Sequence, residues 1–192
     1  MSLNGKMIYP VVYKLPLGIA NNSNESQLHS LYGDTSIMYR IYKTIPREHR
    51  NLVYMNINVT TYPEERLLVY NLFKNKPWVT VENPQNNIGA RENFLKQMRW
   101  NNFVICPRGN GIDTHRMWEA LYMECIPIVK KHQVFDQFYD DFPICWIDDW
   151  SQVTVSFLEN EYLRLTSPYQ NWNWNKLKIG YWKRLIESCL YF

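Results

Sequence analysis

From residue 51 onward, short runs of apolar and β-branched residues alternate with longer segments in which apolar residues recur at helical spacing. The short runs predict strands over residues 52–59, 78–81, 103–106, 126–129 and 144–147. The longer segments predict helices over residues 90–100, 113–124, 135–139 and 150–160, and one that begins at Pro63. Alternation of this kind is typical of βαβ units. It predicts an α/β, Rossmann-like domain with a mostly parallel sheet and helices on both faces.

The two ends of the chain depart from this pattern. Residues 1–50 are interrupted by prolines and glycines, so we interpret them as an irregular linker and first layer. Residues 51–192 form the predicted domain, because a chain of 192 residues suits one hydrophobic core. An apolar stripe over residues 174–190 predicts a C-terminal helix.

The helix that begins at Pro63 has an acidic first turn, which complements the helix dipole. Its apolar residues are expected to form the face that packs on the sheet. They are Leu67, Leu68, Tyr70, Leu72 and Phe73.

The run from Phe103 to Glu119 combines a buried strand, a glycine-containing loop and a helix. Gly109 and Gly111 would let the backbone approach a ligand or adopt a positive φ. The N-terminus of the following helix offers unpaired N–H groups and a positive dipole end to an anion. Arg108 and Arg116 add planar guanidinium groups that suit phosphate oxygens. These features predict a site for a phosphorylated ligand at the carboxyl edge of the sheet.

Three pieces of this region resemble the exostosin-like glycosyltransferases. They are Pro107-Arg108-Gly109, the helical run Arg116-Met117-Trp118-Glu119-Ala120-Leu121, and the apolar strand Cys125-Ile126-Pro127-Ile128-Val129. The similarity extends over about residues 15–165, and residues 15–19 resemble the segment that joins the two halves of such enzymes. The loop sequence of residues 110–115 is similar to the branch found in large DNA viruses and some microbes.

The resemblance implies the donor-binding half of a GT-B glycosyltransferase. Such an enzyme moves a sugar from a nucleotide-diphosphate donor, commonly a uridine one, to a glycan acceptor with inversion. By this resemblance Arg116 neutralises the diphosphate and Glu119 accepts hydrogen bonds from the ribose hydroxyls, as a carboxylate can in bidentate fashion. No metal or other cofactor is implied, because GT-B enzymes stabilise the leaving group with cationic side chains and a helix N-terminus.

Each candidate residue also has a structural interpretation. Arg116 and Glu119 are three apart and would form a simple surface pair. Arg108 would contact the donor or hold the carbonyl groups of its own loop. Asp113 is a preferred helix N-cap type, or a catalytic acid or base. His115 would contact the sugar, act as general base or be structural. The remaining donor-site candidates are Gly109, Asn110, Thr114, Thr60 and Thr61.

Composition narrows the alternatives. A net charge of +3, spread along the chain, argues against nucleic-acid binding, whose basic residues are usually clustered. The four cysteines contain no C-x-x-C pair, and three lie in apolar runs, so we expect buried thiols in a reducing compartment and no zinc site. The adjacent acidic pairs at 140–141 and 148–149 do not form an Asp-x-Asp metal motif.

The sequence contains neither a signal-peptide pattern nor an apolar run long enough to cross a membrane, so we expect a cytoplasmic protein. The acceptor half of a GT-B enzyme would not fit into residues 1–50. Activity of this chain alone is therefore uncertain, because transfer requires both substrates to be held in line. Its partners would be a nucleotide sugar, a glycan acceptor, and a separate acceptor domain or a second copy. The alternative is a non-catalytic nucleotide-sugar-binding module.

Overall fold

The computed structural model describes residues 14–20, 33–48 and 51–189. Within them, five parallel strands form one sheet in the order β2-β1-β3-β4-β5. The strands are β1 (Asn51–Met55), β2 (Val79–Val81), β3 (Asn101–Ile105), β4 (Ile126–Lys130) and β5 (Cys145–Ile147). The predicted α/β, Rossmann-like fold with a parallel sheet is confirmed.

Helices connect and cover the strands. The α-helices of the described residues are α1 (Thr35–Thr44), α2 (Pro63–Phe73), α3 (Ile88–Trp100), α4 (His115–Tyr122), α5 (Val155–Leu165) and α6 (Ile179–Cys189). Short 3₁₀ helices span Gln133–Phe138, Trp150–Gln152 and Trp174–Leu177. The strand order is doubly wound, and the direction of winding reverses between β1 and β3.

Alternate residues of each strand supply two separate cores. Tyr54 of β1 and Val104 of β3 point to the face covered by α1, α3, α4 and α6. Their neighbours Val53 and Phe103 point to the face covered by α2 and α5. This two-residue alternation is what a strand buried on both faces requires, and it gives each face its own apolar layer.

The buried face of α2 differs from the prediction. Leu67, Leu68 and Leu72 are exposed, whereas Arg66, Val69 and Phe73 are buried. The buried positions are spaced three and four apart, so one narrow stripe packs on the sheet and the leucines lie outside it. The many apolar residues of this helix suggested a wider buried stripe. The prediction did not place Arg66 on the buried face.

The expectation that residues 1–50 are irregular is wrong for α1. Asp34 begins this helix, and its Oδ1 accepts a hydrogen bond of 2.9 Å from the backbone N–H of Ser36. Ile37, Met38 and Ile41 pack into the core. Residues 150–160, predicted to be a helix or part of one, contain a 3₁₀ helix capped by Asp149 and the first part of α5. The predicted C-terminal stripe forms Trp174–Leu177 and α6, with residue 190 outside the described residues.

Three of the four cysteines are buried, as expected, and Cys189 is exposed. Burial raises the pKa of the Cys125 and Cys145 thiols to about 12, so both are uncharged at neutral pH. In the part of the chain that the structure describes, no helix is both long and apolar enough to cross a membrane.

Candidate functional site

A cavity of about 290 Å³ lies at the carboxyl edge of the sheet, beside the β1/β3 position where the winding reverses. Ligands of open α/β sheets bind in the crevice at this position. The walls come from the segments that follow β1 and β2 and from the N-terminal halves of α3 and α4. The lining residues are Asn56, Asn58, Arg66, Pro84, Gln85, Asn86, Ala90, Arg91, Phe94, Thr114, His115, Arg116 and Glu119. Four predicted site residues, Thr114, His115, Arg116 and Glu119, therefore meet in one place.

Arg116 carries the clearest sign of a ligand. Its Nε and Nη1 atoms are buried and have no hydrogen-bond partner among the described residues. Its guanidinium lies over the ring of Phe94, 5.8 Å from the ring centroid, which positions the group but accepts no conventional hydrogen bond. A buried, unpaired cationic donor is costly, because desolvation is not compensated. An anionic acceptor in the cavity would remove this cost.

Arg66 is a second cavity arginine, and the sequence analysis missed it. It is buried, and its Nε donates to the backbone oxygen of Arg108 at 2.7 Å. Its Nη1 donates to the backbone oxygen of Asn58 at 3.1 Å, so one side chain joins the loops after β1 and β3. Burial, and secondly the charge of Arg116, lower the pKa of Arg66 to about 10. The two guanidinium groups repel each other, and a bound anion would offset that repulsion.

Glu119 does not form the simple surface pair with Arg116 that was the alternative interpretation. Its Oε1 accepts a hydrogen bond of 2.6 Å from Nη2 of Arg91 on α3, and both side chains are almost fully buried. The surface-pair interpretation is therefore wrong, and the carboxylate that the resemblance assigns to a ribose contributes to a buried ion pair. Three arginines against this one glutamate leave the cavity lining with an excess of positive charge.

The N-terminus of α4 forms part of the same wall. The helix begins at His115, and Thr114 is its N-cap residue, without a side-chain capping bond. The backbone N–H groups of this first turn add to the positive potential of the cavity.

Asp113 was expected to cap α4, and the structure shows a different role. Its Oδ1 accepts a hydrogen bond from Nε1 of Trp118 and its Oδ2 accepts one from the backbone N–H of Leu17, each at 2.8 Å. Burial raises the pKa of this carboxyl group. Asp113 thus holds residues 14–20 against α4, and it does not line the cavity.

His115 is oriented by the same segment. Its Nδ1 lies 2.7 Å from the backbone oxygen of Gly18. Because a carbonyl oxygen only accepts, Nδ1 is the donor, and the neutral ring then keeps its proton-accepting site at Nε2. The residue lines the cavity. Its role as a general base stays a prediction, and its hydrogen bond to Gly18 supports the structural interpretation equally.

Arg108 lies in a separate cleft of about 180 Å³ beyond the β3 loop, together with Lys130 and Lys131. Its guanidinium stacks on the ring of Tyr62 at 4.1 Å from the centroid. It also makes long hydrogen bonds of 3.4 Å to the backbone oxygens of Gly109 and Asn110. These contacts fit the loop-holding interpretation, and the exposed Asn110 lines neither space.

Gly109 and Gly111 do not adopt positive φ values. A positive φ was one of the two reasons for which glycine was expected in this loop. Gly109 is required for close approach, but to Arg66. A Cβ at this position would lie 3.1 Å from Nη2 of Arg66. Because Arg66 is buried and held by two backbone oxygens, it has little freedom to move away.

We expect Gly109→Ala to destabilise the protein by about 1–3 kcal/mol, the usual cost of overpacking. This corresponds to a loss of roughly 2–10 °C in Tm for a chain of this size. The matched control is Gly180→Ala in α6, where the new Cβ would lie 3.5 Å from the exposed Arg184. A Gly109→Ala variant as stable as the Gly180→Ala variant would show that Arg66 is not confined.

Thr60 and Thr61 lie outside the cavity lining. The Thr60 hydroxyl donates to Oδ1 of Asn58 at 2.8 Å, and the Thr61 backbone N–H donates to the Asn58 oxygen at 3.3 Å. Both threonines therefore stabilise the turn after β1. The residue of this loop that reaches the cavity is Asn58 itself.

The two missed arginines had a detectable signal. Arg66 precedes Val69 and Phe73 by three and seven residues, and Arg91 precedes Leu95 and Met98 by four and seven. Both therefore occupy the buried stripe of their helices. An arginine at such a position needs a partner inside the protein or in a ligand.

No cluster of three or more His, Cys, Asp or Glu side chains that could hold a metal occurs within residues 14–20, 33–48 and 51–189. The acidic pairs have other contacts. Asp148 pairs with Lys131 at 3.2 Å, Asp149 caps a 3₁₀ helix, and Asp141 pairs with Lys176.

No protein-family model matches this chain, and a search of the curated proteins finds no significant match. The resemblance to exostosin-like glycosyltransferases therefore rests on the motif residues alone.

Proposed function

We propose that the cavity binds the diphosphate of a nucleotide-sugar donor, and that the chain is the donor-binding half of an inverting, exostosin-like glycosyltransferase. The observation that carries this proposal is the pair of buried Arg116 nitrogens without a hydrogen-bond partner in the described residues. They line a space that also contains Arg66, Arg91 and the start of α4. A diphosphate supplies the acceptor atoms and the negative charge that this space needs.

The arrangement assigns different tasks to the cavity residues. Arg116 donates to the phosphate oxygens, while Arg66 joins the loops after β1 and β3 and contributes charge. The amide groups of Asn56 and Asn58 are suited to hydroxyl or base edges, since an amide both donates and accepts. During transfer, the fixed guanidinium groups stabilise the negative charge that develops on the leaving diphosphate.

The acceptor side of the reaction is not contained in the cavity. Among its described lining residues, His115 is the candidate base, and the carboxylate of Glu119 is ion-paired with Arg91. This composition favours a chain that binds the donor and completes catalysis with a separate acceptor domain. It also fits the alternative, a binding module that transfers nothing.

A thermal-shift and calorimetry screen against UDP, GDP, CDP, TDP and ADP, with and without EDTA, tests the proposal. A nucleotide at about 100 times its Kd adds about 2.7 kcal/mol to the free energy of unfolding, or roughly 5–10 °C in Tm. We expect one base to give the largest shift, and we expect EDTA to leave it unchanged. If inorganic pyrophosphate gave the same shift in Tm as the nucleotides, the site would recognise the diphosphate and not the nucleoside. No shift from any nucleotide would contradict the proposal.

Turnover separates the enzyme from the binding module. The nucleotide that binds would be supplied as its sugar conjugate, and release of free nucleotide would be followed with the wild-type chain. Release that depends on His115 indicates catalysis. Tight binding without release, in the presence of glycan acceptors and of a separate acceptor domain, indicates a module.

A further inference from the structure

A groove of about 530 Å³ lies between residues 14–20 and α6, on the side of the molecule covered by α4. Its rim carries four aliphatic side chains that remain far from buried. Leu15 is 57 % exposed, Leu17 50 %, Ile179 72 % and Ile186 47 %. Clustered apolar residues with such exposure mark an interaction surface more often than isolated ones do.

The charges of this groove have one sign. Among the residues that the structure describes, its lining contains Lys176, Lys178 and Lys183 and no carboxylate. Lys176 is paired with Asp141, whereas Lys178 donates to the neutral Oδ1 of Asn175 at 3.2 Å. Lys178 and Lys183 are exposed, and the nearest acidic residue along α6 is Glu187. An occupant of this surface must therefore be apolar and negatively charged.

Aromatic side chains extend the same surface. A second groove, of about 580 Å³, shares Ile19, Tyr122 and Leu177 with the first and carries exposed Tyr39, Tyr42 and Trp174. Lys43 lies 5.7 and 5.8 Å from the two tyrosine ring centroids. The carboxylate of this groove, Glu124, is hydrogen-bonded to Arg99 at 3.2 Å. We name the exposed aliphatic, aromatic and lysine residues of both grooves the lysine-rimmed face.

We propose that the lysine-rimmed face binds the surface of an anionic membrane. The aliphatic side chains project from the protein, so they can enter the boundary between headgroups and acyl chains. Exposed Tyr and Trp side chains prefer this boundary, because they combine an apolar ring with a polar tip. The lysines reach the lipid phosphates through their flexible stems. Ile179, which is 72 % exposed, is accessible to the flat surface of a bilayer without any opening of the groove.

Co-sedimentation of the full chain with vesicles tests this proposal. The vesicles would be phosphatidylcholine alone, or phosphatidylcholine with about one third phosphatidylserine. We expect partition to the mixed vesicles only, and weaker partition as salt rises. Lys178→Glu with Lys183→Glu should reduce the partition coefficient at least about tenfold. Ile179→Ser should reduce it at least about fivefold, through the lost apolar insertion.

Two matched controls make the same kinds of substitution outside the lysine-rimmed face. Lys74→Glu with Lys76→Glu reverses two exposed lysines at the end of α2, and Leu163→Ser removes an exposed leucine of α5. Both are expected to bind vesicles like the wild type. The binding of a variant is compared with that of the wild type only if its circular dichroism spectrum and Tm are unchanged. The proposal is overturned if the wild type binds neither vesicle type. It is also overturned if the controls lose as much binding as the variants of the lysine-rimmed face.

Discussion

Arg116→Ala is expected to weaken binding of the preferred nucleoside diphosphate about 100-fold, since a hydrogen bond to a charged group contributes about 1.5–3 kcal/mol. In the absence of nucleotide, the same variant should be as stable as the wild type or more stable. The reason is that the substitution removes a buried cation whose Nε and Nη1 lack a hydrogen-bond partner among the described residues. It also removes a charge that lowers the pKa of Arg66. Calorimetric titration measures the affinity, and thermal unfolding without ligand measures the stability.

The two readouts together identify a binding residue. An arginine that only supports the fold would lose stability when removed, and it would lose affinity as a consequence. Arg184→Ala on exposed α6 is the matched control, since it removes the same charge away from the cavity. Arg116→Lys should recover part of the affinity, because lysine keeps the charge but not the paired N–H geometry. If Arg116→Ala binds within about threefold of the wild type, the diphosphate does not contact this side chain.

Much of the fold could be predicted because its signal is local. Each strand was recognised from a short apolar run, and the ends of β1 to β5 lie within about four residues of the prediction. Helix α1 was not predicted, because prolines and glycines surround it and because its buried residues are only Ile37, Met38 and Ile41. A short amphipathic helix inside such a segment has a weak period.

The site was predicted less completely, because it depends on contacts between distant residues. Arg116 and Glu119, which the sequence placed on the helix after β3, both line the cavity from α4. Which groups pair inside it depends on α2 and α3, from which Arg66 and Arg91 arrive. The structural alternative paired Glu119 with Arg116, three residues away, whereas the fold pairs it with Arg91, 28 positions earlier. Arg108 was assigned either to the donor or to the carbonyl groups of its own loop, and its guanidinium stacks on Tyr62.

Glu119→Ala is expected to lower the free energy of unfolding by about 3–5 kcal/mol, because it removes the carboxylate that pairs with the buried guanidinium of Arg91. The Arg91–Glu119 hydrogen bond is 2.6 Å long, and the two side chains are 1 % and 5 % exposed. The expected loss in Tm is roughly 6–20 °C. Glu119→Gln should lose less, because its side-chain oxygen still accepts the hydrogen bond. Thermal and urea unfolding of the three proteins at one pH measure these differences.

A double variant tests whether the pair itself causes the loss. Arg91→Ala with Glu119→Ala should cost less than the sum of the single variants, because neither charge remains buried alone. Asp148→Ala is the surface control, since the exposed Lys131–Asp148 pair at 3.2 Å should contribute at most about 1 kcal/mol. Strict additivity of the two single variants would show that the ion pair does not hold α3 to α4. In that case the Glu119 carboxylate would be available to a ligand, and binding measured with the stable Glu119→Gln variant would report directly on the ribose contact that the family resemblance implies.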